Sequence, residues 1–271
     1  MTNNAASPKC ALTIAGSDSG GGAGIQADLK TFAAHGVHGL SALTALTAQH
    51  TRGVTAVHVP PVAFLHAQID ACFDDFEIGA VKLGMLADDE VIAAVVEALE
   101  RHRPDQVVLD PVMVATSGAK LLADSALDAM RTQLLPLASL ITPNLPEAEL
   151  LLGHPIVDTD AMRAAAAELL ALGARAVLLK GGHMRGEGPM VDVYADAQGQ
   201  RTLMHPRLQL EAHGTGCSLA SAVAANLCLG SSMHDACSAA THYVHRALVL
   251  GYRPGHGEIV VLDHFGAAPA Q

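Results

Sequence analysis

Short apolar runs alternate with amphipathic helical stretches along almost the whole chain, and that alternation leaves few folds open. Strand-like runs lie at Cys10–Ala15, Gly39–Thr47, Val54–Val59, Ala80–Leu83, Gln106–Leu109, Leu140–Thr142, Ala176–Leu179 and Val191–Tyr194. Helical patterns fill the intervals at Gly24–Ala34, Val62–Phe73, Asp89–Arg101, Ser125–Leu134, Glu147–Leu152 and Ala161–Leu172. Such repetition implies an α/β fold: a mainly parallel central sheet with helices on both faces. Near the end the pattern changes, and Thr215–Leu229 and Met233–Gly251 read as two consecutive helices. No Pro/Ser-rich linker or charge block divides the 271 residues. One domain over 10–265 is expected, between tails at 1–9 and 266–271.

In open sheets of this kind ligands bind outside the carboxyl ends of the strands. Polar clusters fall there at Gly16–Gly24, Gln49–Arg52, Asp110–Gly118, Pro143–Glu147 and Lys180–His183. A sixth segment, Glu211-Ala-His-Gly-Thr-Gly-Cys217, runs straight into an Ala-rich helix. Glycines there turn backbone N–H groups toward one point, and the helix N-terminus adds about half a positive charge. That combination attracts phosphate. It should also favour a thiolate, so Cys217 is expected to ionise more easily than a free cysteine. The alternative is a plain loop-to-helix turn followed by a buried cysteine.

The glycine-rich stretch Gly16-Ser-Asp-Ser-Gly-Gly-Gly-Ala-Gly24 fits neither familiar nucleotide motif. A dinucleotide fingerprint needs an acidic residue about 20 positions on, and Leu40–His50 contains none. A P-loop needs Gly-Lys-Ser/Thr at the helix start, where this chain has Gly24-Ile-Gln. The remaining use is close approach of backbone to a small flat ligand, with Asp28 one turn into the helix to bond it. Gln49 offers a donor and an acceptor side by side, matching a ring nitrogen next to an exocyclic amine.

Lys180 closes an apolar run and is either a snorkelling residue or a phosphate counter-charge. Asn144 and Glu147 have two readings of equal weight: a helix cap, or a magnesium site held through water. His213 abuts the anion hole and touches phosphate or merely shapes the turn. The 15 histidines form no compact metal signature, and none is assigned a metal.

Composition excludes several classes. A formal net charge of −11 disfavours nucleic acid and anionic membranes as partners. Five scattered cysteines without C-x-x-C argue against a disulfide framework or structural zinc and for a reducing compartment. No apolar signal segment stands at the start, and charges such as Arg163, Glu168 and Arg175 interrupt the apolar runs, so a cytoplasmic location is expected.

Taken in order, Ala15–Lys30, Ala48–Gly53, Val81–Met85, Leu109–Met113, Thr142–Glu147, Leu179–His183 and His213–Cys217 resemble the hydroxymethylpyrimidine/phosphomethylpyrimidine kinases of thiamine synthesis. The resemblance covers about Cys10 to Phe265 and implies a ribokinase-like three-layer sandwich. It implies that Gly16, Asp28, Gln49 and Met85 line an aminopyrimidine pocket. It also implies that Asn144, Glu147, Lys180 and Thr215 handle ATP phosphates and Mg²⁺, with Glu147 reaching magnesium through water. Gly214, Gly216, Cys217 and Lys180 would carry the transfer, Cys217 as base, and the assembly would be a homodimer. His50 stands where Asn is common, and the Gly255–Val260 segment departs from the usual continuation. The rival readings are a pyridoxal kinase of the same superfamily and a pyrimidine-binding regulator without turnover.

Overall fold

A computed structural model describes residues 7–113, 121–123, 125–184 and 188–269. Parts of the expected tails (1–6 and 270–271) and of the Asp110–Gly118 cluster (114–118) lie outside these residues.

The first half runs β1 (Cys10–Asp18), α1 (Gly24–Ala34), β2 (His38–His50), β3 (Gly53–His58), α2 (Val62–Asp75), β4 (Ile78–Leu83), α3 (Asp89–His102) and β5 (Val107–Leu109). A short helix α4 (Ala126–Ala129), extended by a π turn at Met130–Leu134, leads to β6 (Leu140–Ile141). Then come α5 (Leu145–Leu152), α6 (Thr159–Ala171), β7 (Ala176–Leu179), β8 (Met190–Asp196), β9 (Gly199–His205) and β10 (Ala212–His213). The end is α7 (Thr215–Cys228), α8 (Met233–Val249) and β11 (Val260–Val261).

The main sheet has the order β3-β2-β1-β4-β5-β6-β7-β8-β9. Its six central strands, β2, β1, β4, β5, β6 and β7, are parallel. β3 adds antiparallel at one edge, and the β8–β9 hairpin at the other. The chain leaves β1 toward β2 on one side and returns to pair β4 on the other, so the order reverses at β1. Strands buried on both faces are apolar without interruption, and β7 illustrates this. Val177 and Leu179 join the core beneath α2 to α6, while Ala176 and Leu178 join the core beneath α1, α7 and α8.

Local chemistry marks both ends of α3. Asp88 caps α3 by accepting from the Val91 N–H at 2.9 Å, with Asp89 and Glu90 in the first turn and Arg101 and His102 in the last. α7 is built almost wholly of small and apolar residues and is buried nearly all round, as a central helix must be.

Three differences from the sequence reading have physical causes. β1 and β2 run longer than their apolar cores, β1 through Asp18 by pairing with β2 and β2 through His50 by pairing with β3. Gly16 and Gln49 are therefore strand residues. β9 is unexpected because it is an edge strand in which Gly199, Gln200 and Arg201 are exposed and His205 closes the strand, so no apolar run marks it. α5 starts at Leu145, two residues before Glu147, because Asn144 caps it.

Candidate active site

The carboxyl ends of β1, β2, β4, β5, β6 and β7 and the N-terminus of α7 surround one cavity of about 600 Å³. Its position at the reversal of strand order is where a parallel sheet opens.

The anion-binding wall is the start of α7. Gly214 caps the helix at φ 83°, a left-handed conformation that other residues adopt only at a cost. A side chain there would also collide with the Gly22 carbonyl oxygen, so the glycine loop after β1 and the start of α7 are locked together. Thr215, Gly216 and Cys217 form the first turn and all reach the cavity. A Cβ on Gly216 would come within 3.1 Å of Lys180 Nζ and 3.2 Å of Asp110 Oδ2.

Those two groups form the charged floor of the phosphate side. Lys180 Nζ donates to Asp110 Oδ1 at 2.9 Å, and Thr142 Oγ1 donates to the same oxygen at 3.2 Å. Burial works against the Lys180 charge, but Asp110 and Glu147 outweigh it and hold the ammonium protonated. Glu147 shows the opposite balance. Burial pushes its carboxyl up to about 7, with Lys180 opposing and Asp110 reinforcing the rise.

Asn144 and Glu147 form a reciprocal cap: Glu147 N–H donates to Asn144 Oδ1 at 2.9 Å, and Asn144 N–H donates to Glu147 Oε2 at 2.8 Å. The capping reading is thus present in the geometry, yet both residues also line the cavity. Capping occupies one Glu147 oxygen and leaves the other. Asp110 and Glu147 together offer the one or two carboxylates that magnesium typically takes beside phosphates. The donor set fits that ion. Among the described residues, no three His, Cys, Asp or Glu side chains converge to hold a metal by themselves.

The opposite end of the cavity is flat and less charged. Gly16 brings bare backbone to the wall, where a Cβ would meet Met85 Sδ at 3.0 Å. Met85 is held by Thr44, whose hydroxyl donates to its carbonyl at 2.5 Å. Gln49 is poised rather than free: Thr47 Oγ1 donates to its Oε1 at 3.0 Å, and its Nε2 lies 2.8 Å from His213 Nε2. His213 in turn contacts Asp18 Oδ2 at 3.1 Å.

Asp18 organises the glycine loop. Its carboxylate accepts from the N–H groups of Gly20, Gly22 and Ala23 at 2.8, 2.9 and 2.8 Å. Burial alone would raise its pKa, but His213 and the Ala23 and Gly20 N–H donors outweigh it and lower it. The loop amides are therefore used internally.

Gly16, Gln49, Met85, Asn144, Glu147, Lys180, Gly214, Thr215, Gly216 and Cys217 all line the cavity. Two expectations need correction. Asp28 does not line it: the carboxylate is fully buried, with Oδ2 taking Thr13 Oγ1 at 2.6 Å and Lys82 Nζ at 2.9 Å, and Oδ1 taking Ser221 Oγ at 2.7 Å. Early helical position indicated a free carboxylate, but the first turns of α1 face the core. Cys217 does not ionise more easily than a free thiol. Burial pushes it up to about 11, with Asp28 and Asp110 adding to the rise; Lys82 and the Gly24 N–H oppose it without prevailing. The helix dipole loses to desolvation here.

Asp110, Lys82 and Asp18 were not singled out from the sequence. Asp110 directly follows the apolar run Val107–Leu109, the same signal that drew attention to Lys180, so it was accessible to the same reasoning.

Residues 18–262 match the family described as phosphomethylpyrimidine kinase. The chain is 50% identical over 240 residues to the hydroxymethylpyrimidine/phosphomethylpyrimidine kinase of Rhizobium meliloti, covering 88% of this chain and 90% of that protein. It is 49% identical over 247 residues to the thiamine biosynthesis bifunctional protein ThiED of Geobacter sulfurreducens, covering 91% of this chain and half (50%) of that longer protein. Among solved structures, the phosphomethylpyrimidine kinase of Clostridium difficile aligns with a TM-score of 0.79 at 42% identity, over 88% of this chain and 98% of that one. The ADP complex of Bacillus subtilis pyridoxal kinase aligns with a TM-score of 0.87 at 34% identity, over 95% and 98%.

Proposed function

This chain belongs to the phosphomethylpyrimidine kinase family, and from that premise we propose that it phosphorylates 4-amino-5-hydroxymethyl-2-methylpyrimidine twice, in thiamine biosynthesis. The product of the first transfer is the monophosphate, that of the second the diphosphate, and MgATP is the donor. The observation that carries this reading is the single cavity joining the flat Gly16–Gln49–Met85 end to the Lys180–Glu147 end across the start of α7. Family relatives are about half identical to this chain, whereas the pyridoxal kinase aligned above is 34% identical. Fold similarity to both is high, so fold does not choose between them.

In the first transfer the alcohol oxygen attacks the γ-phosphorus in line. The new O–P bond forms as the bond to the bridging oxygen of ADP breaks. Backbone N–H groups at Gly214–Cys217 and the Lys180 ammonium bear on the oxygens of the transferred group. Asp110 fixes Lys180, and Glu147 and Asn144 face the donor phosphates. Magnesium, when bound there, supplies charge neutralisation of the β- and γ-phosphates. Gln49 and the Gly16 backbone orient the ring, and Met85 packs against it.

The alcohol proton goes to Cys217 Sγ. A thiol raised to about 11 by burial is mostly protonated at pH 8, but its thiolate is the stronger base for it. In the second transfer the nucleophile is a phosphate oxygen, already an anion, and Cys217 has no proton to take.

The homodimer belongs to the same reading. Leu46, Val57 and Phe64 leave exposed apolar side chains along the β2–β3 edge and the start of α2, and light scattering of the purified protein tests it. For the activity, the direct comparison is turnover of the pyrimidine alcohol against pyridoxal under identical MgATP. A higher kcat/KM for the pyrimidine supports the assignment. Turnover of pyridoxal alone would move it to the vitamin B6 branch, and binding without ATP consumption would make the protein a sensor.

A further inference from the structure

Lys82 is the middle of a buried polar cluster that the transfer chemistry above does not use. It lies on β4, a central strand, and its side chain has no solvent exposure. Burying an ion pair in a sheet core rarely stabilises a fold better than apolar side chains of the same volume. The fold therefore supplies no reason for a lysine here.

The geometry around it points toward the anion hole. Lys82 Nζ donates to Asp28 Oδ2 at 2.9 Å, and Asp28 Oδ1 accepts from Ser221 Oγ at 2.7 Å. Ser221 stands four residues after Cys217 on α7, so the two share one face of that helix, a turn apart. The pair thus sits beneath Cys217, between α1, β4 and α7. Gly84 leaves the space: a Cβ there would come within 2.7 Å of Lys82 Nζ. Lys82 and Cys217 are both among the residues that line the cavity.

We propose that Lys82 is a positioning residue for the first phosphoryl transfer: its ammonium supports negative charge on Cys217 Sγ, and Asp28 limits that support. The charged groups facing Cys217 are Lys82 from β4, Asp28 from α1 and Asp110 from the end of β5, with Lys180 beyond Asp110. Asp28 and Asp110 oppose the thiolate, and Lys82 is the cation that favours it most. Its own proton is secure. Burial disfavours the charge, but Asp28, Cys217 and Asp110 outweigh burial and raise its pKa. Asp28 thus acts on catalysis through the charge on Cys217, directly and by way of Lys82, and not through substrate. This rests on Cys217 as the proton acceptor, but its test does not require turnover.

The test is the pH dependence of Cys217 alkylation by iodoacetamide, read at the level of the Cys217 peptide by mass, without substrates. Asp28→Asn leaves the Lys82 charge uncompensated and should raise alkylation at pH 8 by about tenfold; Lys82→Met should lower it by a similar factor. Lys82→Arg should restore part of the loss. A merely structural pair would shift both single variants the same way, through loosened packing, or neither. Either result overturns the proposal. If Lys82→Met does not fold, Lys82→Gln takes its place, and unchanged or faster alkylation in it overturns the proposal. The second readout is turnover: Lys82→Met should depress kcat of the first transfer more than that of the second. Equal losses would reject Lys82 as support for Cys217, whatever the pyrimidine assignment.

Discussion

Lys180 Nζ lies 2.9 Å from Asp110 Oδ1, and both press against Gly216 in the first turn of α7. This places a fixed cation where the helix dipole already favours negative charge. Phosphoryl transfer depends chiefly on positioning and charge stabilisation, so this pair should matter equally to both transfers. Lys180→Met should reduce kcat for the two steps alike, by about 10²-fold or more. Parallel steady-state assays on the alcohol and its monophosphate check this, and a loss confined to one step would contradict it.

Cys217 should behave differently. Cys217→Ala is expected to slow the first transfer by roughly 10²–10⁴-fold and to leave the second nearly intact. With the thiol pushed up to about 11 by burial, kcat of the first transfer should keep rising from pH 7 to pH 9, while that of the second stays flat. Equal losses in the variant, or a first-step plateau near neutral pH, would leave Cys217 only a positioning role.

Gly214 combines φ 83° with close backbone contact to Gly22. Gly214→Ala should therefore destabilise the protein by about 1–2 kcal/mol from the backbone conformation alone, and more from the collision. Chemical denaturation measures this. An unchanged midpoint would show that the junction between the glycine loop and α7 yields freely.

His264 supplies a pH signature of the fold. It is buried, its Nε2 sits 3.0 Å from Ser218 Oγ on α7, and its carbonyl accepts from Tyr243 OH. Burial first, and the Lys30 charge second, push its pKa down from 6.5 to about 4. Between those values the unfolded chain binds the proton and the folded one does not. The stability it contributes is full above about pH 6.5 and is lost as pH falls toward 4, by roughly 3 kcal/mol at most. His264→Gln should flatten that part of the Tm-against-pH curve; an unaltered slope would assign the acid sensitivity elsewhere.

The architecture was legible because parallel strands covered on both faces leave uninterrupted apolar runs between helical ones. The hairpin strand β9 was not, since an exposed edge strand carrying Gln200, Arg201 and His205 has no such run. The cavity lining was largely legible for a related reason: polar residues at strand ends can only face the open edge. Asp28 and Cys217 mark where this reasoning stops. Whether a carboxylate one turn into a helix faces ligand or core depends on what packs above it, here Ser221 from nearly 200 residues later (|i−j| = 193). Whether a helix N-terminus ionises a cysteine depends on its burial, and desolvation by the surrounding core decided against ionisation. Both outcomes depend on contacts distant in sequence.

The central claim is two successive transfers onto one ring in one cavity. Its most direct test is a mass-resolved time course of the purified protein with MgATP and the hydroxymethylpyrimidine. The account predicts that monophosphate appears first and is then converted to diphosphate by the same protein. Monophosphate that accumulates without further conversion, or an unchanged alcohol, would contradict it.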